Sequence, residues 1–113
     1  MDLLKKVVET VEDVKVSDIK IYETKTITPL FDYVVIATAS SSRQTRAVVE
    51  HLRDDSVKKS FNIKGIEGTD DSTWLLVDLD DVLVNVFIEE ERERYALDKL
   101  WKDLPQVELE NLL

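Results

Sequence analysis

The strongest constraint on the fold lies in residues 73–87, where two apolar runs flank the pair Asp80-Asp81. Each run is long enough for a strand and the acidic pair is a turn former, so the segment predicts a β-hairpin. Asp-Asp is less suited than Asn-Gly to the tightest two-residue turns. Pairing Leu79 with Val82 across the turn sets the register and assigns every side chain to one of two faces.

The two faces of this hairpin differ in chemistry. One is wholly aliphatic and predicts core: Leu75, Val77, Leu79, Val82, Val84 and Val86. The other is mixed: Trp74, Leu76, Asp78, Leu83, Asn85 and Phe87. A fully covered face should not carry an Asp and an Asn without partners, and a fully solvated one should not carry four large apolar groups. Two interpretations stay open: either Leu83 and Phe87 pack under a helix with Asp78 and Asn85 at the sheet margin, or the face binds a partner.

The rest of the chain supplies the elements around the hairpin. Helices are predicted over residues 3–14, 41–58 and 89–101, and further strands over residues 16–22, 32–37 and 61–66. Ser41 and Gln44 have the spacing of a helix capping box. The order predicts an α/β (α+β) fold, a single domain over residues 1–104 with a mixed sheet of about five strands flanked by helices. Pro105 ends the last helix, and residues 105–113 are expected to form a loosely held tail.

Composition and charge limit the classes of function that this chain can have. The 113 residues contain no cysteine and carry a net charge of −9. Phosphate binding depends on lysine and arginine, so an acidic chain is not expected to bind nucleic acid directly. The same charge favours encounter with a basic protein, although it also serves solubility alone. No segment approaches the roughly 20 apolar residues of a membrane span, and no signal peptide is evident, so a cytoplasmic location is expected.

Four blocks carry a family pattern in this chain. They are Asp32-Tyr33-Val34-Val35-Ile36-Ala37 with Ser41-Ser42-Arg43-Gln44 and Ala47; Glu67-Gly68 ahead of Trp74; Trp74-Leu75-Leu76-Val77-Asp78 with Asp81-Val82-Leu83-Val84; and Arg92, Tyr95, Leu97, Leu100 and Trp101. In order and spacing they resemble the Iojap/ribosomal silencing factor family over residues 3–104. Each block alone is weak evidence, and the four together are specific.

The resemblance implies a fold related to the nucleotidyltransferases, with no enzymatic activity, cofactor or metal. Family members bind the fourteenth protein of the large ribosomal subunit on the face that meets the small subunit. They thereby block subunit joining and repress translation when nutrients run short. The predicted partner-binding residues are three carried over by motif, two on the same hairpin face and two on the next helix: Trp74, Leu76, Asp78, Leu83, Asn85, Arg92 and Tyr95. A homodimer off the ribosome stays open.

The chain departs from the family pattern at two positions. Asp80 stands where the family usually has a glycine in the hairpin turn, and aspartate enters left-handed conformations less readily. Asn85 stands where the family often has a histidine, and an amide keeps hydrogen bonding but cannot titrate.

An alternative function rests on Asp78, Asp80 and Asp81, which resemble a Mg²⁺-binding set in a residual nucleotide-binding or nucleotidyltransferase-like domain. Such enzymes also need a Gly-Ser turn near the phosphates, and residues 38–42 contain no glycine. Because turn formers are expected at a hairpin tip, the non-enzymatic interpretation is favoured.

Overall fold

The structure is a computed structural model that describes residues 2–68 and 73–113. Its elements, in chain order, are α1 (Asp2–Asp13), β1 (Ser17–Glu23), β2 (Tyr33–Ala39), α2 (Ser42–Lys58), β3 (Gly65–Glu67), β4 (Trp74–Asp78), β5 (Val82–Ile88), α3 (Glu89–Tyr95), α4 (Leu97–Leu100) and α5 (Leu109–Leu112). The predicted order of helices and strands is therefore confirmed up to α3. None of the helices within the described residues is long and apolar enough to cross a membrane.

The strands form one mixed sheet in the order β1-β2-β5-β4-β3. The central pair β2 and β5 is parallel, and the other three pairs are antiparallel. Every residue of β2 is buried, as its continuous apolar run predicts for a strand covered on both faces. The predicted mixed sheet of five strands flanked by helices is confirmed.

Two helices cover one face of the sheet. Helix α1 turns Leu4, Val7, Val8 and Val11 inward, and α2 packs beside it. Their apolar side chains meet the aliphatic hairpin face in one core cluster. The Ser41 hydroxyl accepts from the Gln44 amide at 3.2 Å and so caps α2. The Gln44 side chain accepts from the Ser40 amide at 2.7 Å, one residue before the position that a capping box would use.

The hairpin has the predicted register. Trp74 pairs with Phe87, Leu76 with Asn85 and Asp78 with Leu83. At the turn, Asp80 adopts φ 75°, a left-handed conformation that glycine enters more readily than aspartate. The Asp78 carboxylate accepts from the Asp80 amide at 3.0 Å, so a local hydrogen bond supports this conformation.

Two predicted elements depart most from their predicted bounds. The strand predicted over residues 61–66 is limited to β3, because Phe61 bonds back to the end of α2 through Ser56 O. The helix predicted over residues 89–101 breaks at Ala96, which adopts the left-handed conformation (φ 53°, ψ 39°) between α3 and α4. Periodicity alone did not reveal this break.

The C-terminal segment departs from the expected loose tail. The amide of Glu23 donates to Pro105 O at 2.8 Å, and the amide of Val107 donates to Ile21 O at 2.9 Å. Leu112 of α5 is buried in the core cluster. The physical reason is that β1 is an edge strand, so its outer backbone groups are free to form hydrogen bonds with the C-terminal segment.

Candidate functional site

The sheet face opposite α1 and α2 is covered unevenly. Over β1, Trp101 lies against the ring of Tyr22 with their centroids 6.0 Å apart. Towards β4, the hairpin side chains Trp74, Leu76 and Leu83 remain only partly buried. This partly covered region is the mixed hairpin face that the alternation of side chains along the two strands predicted. Three of its apolar members, Trp74, Leu83 and Phe87, belong to a second hydrophobic cluster, separate from the main core.

An aromatic group forms the base of this region. Trp74 stacks on Phe87 with ring centroids 5.0 Å apart and meets Tyr95 of α3 at 4.6 Å. Phe87 is fully buried, whereas Tyr95 is 46% exposed. The indole is thus held between a core residue and a surface residue, and Trp74 as a whole stays partly exposed. Such contacts limit the freedom of Trp74 before any partner arrives.

Asn85 lies beneath the surface, at 1% exposure, and not at a sheet margin. Its carboxamide oxygen accepts from the Trp74 indole N–H at 3.0 Å, and its Nδ2 has no hydrogen-bond partner within the described residues. The prediction that Asn85 contacts a partner directly therefore does not match its position. The side chain orients Trp74 instead.

The accessible part of the site combines apolar groups with one carboxylate. Leu76, Asp78 and Leu83 are all half-buried. Beside Leu76, a shallow pocket of about 150 Å³ is lined by Glu67, Gly68, Trp74 and Leu76. An apolar centre with a polar rim is the composition of a protein–protein interface.

Arg92 lies in a different environment from the other predicted residues. It is only 8% exposed and lines a cavity of about 330 Å³ at the carboxyl ends of β2 and β5. It donates to Thr38 Oγ1 at 2.8 Å and to Asp98 at 2.9 and 3.1 Å, and it also bonds Asp18. Four hydrogen bonds hold Arg92 inside the domain at this cavity and away from the hairpin face, whereas Tyr95 contacts Trp74 of that face.

The Arg92–Asp98 pair connects the two sides of the break at Ala96. The Tyr22 hydroxyl also donates to Asp98, at 2.7 Å. Burial acts to raise the pKa of Asp98, but hydrogen bonds from Arg92 and Tyr22 and the charge of Arg92 outweigh it and lower that pKa below 3.8. Sequence reasoning missed Asp98, because nothing in the local pattern connects it with Tyr22.

The lowered pKa predicts a stability difference that depends on pH. The Asp98 contribution is complete above about pH 4 and is lost as the pH falls through the folded-state pKa, because the unfolded chain binds the proton more readily. We expect Asp98→Asn to lower the free energy of unfolding at pH 7 and to differ less from the wild type at pH 2. Urea titrations at both pH values measure this. The exposed Asp103→Asn is the matched control, and an equal loss in both variants would contradict the expectation.

Two of the hairpin-tip carboxylates are engaged in contacts within the domain. Asp80 pairs with Lys64 at 3.2 Å, and Asp78 accepts from the backbone of the turn. Within residues 2–68 and 73–113, no group of three or more His, Cys, Asp or Glu side chains is arranged to hold a metal ion. These contacts give Asp78 and Asp80 roles in the turn itself.

The fold and the site define a small mixed α/β protein whose candidate site is a partly exposed hairpin face with a fixed aromatic centre. Comparison with known proteins extends this description. The whole chain, residues 1–113, matches the family described as ribosomal silencing factor during starvation. The protein therefore belongs to the ribosomal silencing factor family, which confirms the resemblance found in the four sequence blocks.

Individual relatives agree with this assignment. The chain is 36% identical to the ribosomal silencing factor of Halalkalibacterium halodurans, covering 99% of this chain and 96% of that protein. It is 34% identical to the Bacillus subtilis protein of the same name, covering 96% and 92%. A crystal structure of a Bacillus halodurans protein aligns with a TM-score of 0.82 at 36% identity, covering 95% of this chain and 97% of that one.

Proposed function

We propose that this protein silences ribosomes by docking its hairpin face on the fourteenth protein of the large subunit, in the cytoplasm. The bound domain prevents the small subunit from joining, and translation is repressed. Family membership supports the silencing role. The observation that carries the docking site is the partly buried Trp74, held by the buried Asn85 and Phe87 beside Leu76 and Asp78.

The energetics of the hairpin face suit docking. A partly exposed indole that is already oriented loses little conformational freedom on binding, so less of the free energy gained by its burial is offset by an entropy cost. Large aromatic anchors contribute most of the energy of many interfaces. The net charge of −9 favours encounter with a basic protein, and Asp78 supplies a carboxylate at the edge of the apolar centre.

Repression of this kind requires no chemistry. The domain measures 34 × 33 × 25 Å, so once docked on the subunit-facing surface it occupies space that the small subunit needs. Order of addition tests this mechanism. Protein added to free subunits should lower the joined fraction in sucrose gradients, whereas protein added to joined ribosomes should have a smaller effect. An unchanged joined fraction at saturating protein would contradict the proposal.

Substitutions at Asp78 test the charge of the surface. Asp78→Ala removes one edge carboxylate and is expected to weaken binding to purified large subunits about threefold. Asp78→Lys adds repulsion from a basic partner and is expected to weaken it about tenfold. Glu50→Lys, an exposed change of equal charge on α2, controls for net charge. Dissociation constants at two salt concentrations measure the effect, and equal losses at Asp78 and Glu50 would show that only overall charge matters.

A further inference from the structure

The loop between β1 and β2 exposes two large aliphatic side chains. Ile27 is 57% exposed and Leu30 is 74% exposed. A single exposed aliphatic residue is ordinary on a protein surface, so exposure alone does not define a site. Two further observations suggest a binding role for Ile27 and Leu30: the loop has a defined conformation, and it contacts the hairpin.

Internal hydrogen bonds give this loop a defined conformation. The Thr24 amide donates to Asp32 O at 2.8 Å, and the Thr24 hydroxyl donates to Phe31 O at 3.0 Å, which closes the loop. The amide of Ile27 donates to Thr24 O at 3.0 Å, and that of Leu30 donates to Thr28 Oγ1 at 3.1 Å. The backbone that carries Ile27 and Leu30 is therefore fixed by hydrogen bonds. Less conformational entropy is then lost when these side chains bind a partner.

The loop is also joined to the hairpin. The amides of Asp32 and Tyr33 both donate to the carbonyl of Asp81, at 2.7 and 3.1 Å. Phe31 packs against the same hydrophobic cluster as Trp74 and Leu83. The end of the loop is thus in direct contact with the hairpin turn and packs on the same hydrophobic cluster as the mixed face.

We propose that Ile27 and Leu30 form a second contact of the docking surface and bind an apolar patch, bordered by lysine or arginine, on the same partner protein. This inference rests on the proposed function, because it names further residues of the same site. Charge complementarity identifies the occupant as a basic protein. The backbone amide of Asp32 donates to the carbonyl of Asp81, so two acidic residues lie where the loop meets the hairpin, against the single Lys25 within the loop, and the whole chain carries a net charge of −9.

Binding to purified bacterial large ribosomal subunits tests the second contact. The Ile27→Ser/Leu30→Ser double variant is expected to lose about tenfold in affinity, since two exposed aliphatic groups lose their burial at the interface. Val57→Ser is the matched control. Val57 is 82% exposed on α2, and α2 packs on the face of the sheet opposite to the mixed hairpin face. Melting temperatures and circular dichroism should stay close to those of the wild type for all of these variants.

The outcomes separate the second contact from the proposed function. If Trp74→Ala weakens binding and the double variant binds like the wild type, the second contact is overturned and hairpin docking stands. If neither weakens binding, both are overturned. Equal weakening by Val57→Ser would also overturn the second contact. As an independent measurement, photo-crosslinkers placed at positions 30 and 76 should attach to the same ribosomal protein, and attachment to different proteins or to none at position 30 would count against it.

Discussion

Replacing Trp74 with alanine is expected to lower the affinity for large ribosomal subunits by thirtyfold or more. Truncation of a central aromatic anchor typically costs about 2 kcal/mol or more, and every 1.4 kcal/mol is a factor of about ten. The loss has two parts, since the variant removes the accessible indole and also the group that Asn85 and Tyr95 hold in place. Co-sedimentation with purified large subunits over a concentration series measures it.

Trp101→Ala is the matched control for this experiment. Trp101 is also partly buried and packs against the same hydrophobic cluster, but it lies over Tyr22 of β1 and not on the hairpin. We expect the two variants to lose comparable thermal stability, and only Trp74→Ala to lose binding. Trp74→Phe keeps an aromatic ring and removes the N–H donor, so its affinity should fall between those of the wild type and Trp74→Ala. Normal binding by folded Trp74→Ala would exclude the hairpin face as the docking site.

Replacing Gly68 with alanine is expected to lower the free energy of unfolding by about 2–4 kcal/mol. Gly68 has φ +112°, a conformation that residues with a Cβ rarely adopt. An added Cβ would also clash with Leu75 Cδ2 and would lie 2.9 Å from the carbonyl oxygen of Trp74. The leucine is in the core and the carbonyl belongs to the backbone of β4, so neither moves freely. A fall in melting temperature of about 10 °C or more would follow in a domain of this size.

Gly65→Ala provides the control for this substitution. A Cβ at Gly65 in β3 would meet no atom within 4 Å, so the change should alter the free energy of unfolding by less than about 0.5 kcal/mol. Chemical denaturation of both variants gives the comparison. Equal stability of the two variants would contradict the steric argument at Gly68. A stable Gly68→Ala that binds large subunits normally would further show that the pocket beside Trp74 tolerates the change.

The local sequence pattern was sufficient to predict register and burial where one face of an element packs against the core. Alternation in residues 73–87 predicted the register of the hairpin and the burial of its aliphatic face, because a strand turns successive side chains to opposite sides. The same reasoning found the mixed face that contains Trp74, Leu76 and Asp78. It did not find Ile27 and Leu30, although two aliphatic residues in a polar connection were a signal for an exposed apolar contact.

The sequence was sufficient to predict the order of elements, the pairing within the hairpin and the family, since these depend on short-range spacing. The three-dimensional structure was needed to show that Asn85 is buried beneath Trp74, that Arg92 is enclosed with Asp98, and that the last residues lie along β1. Each of these depends on groups that are far apart in the chain or on a backbone conformation such as that of Ala96. Periodicity describes which side of an element faces inward, but it carries no information on which distant group a polar side chain meets there.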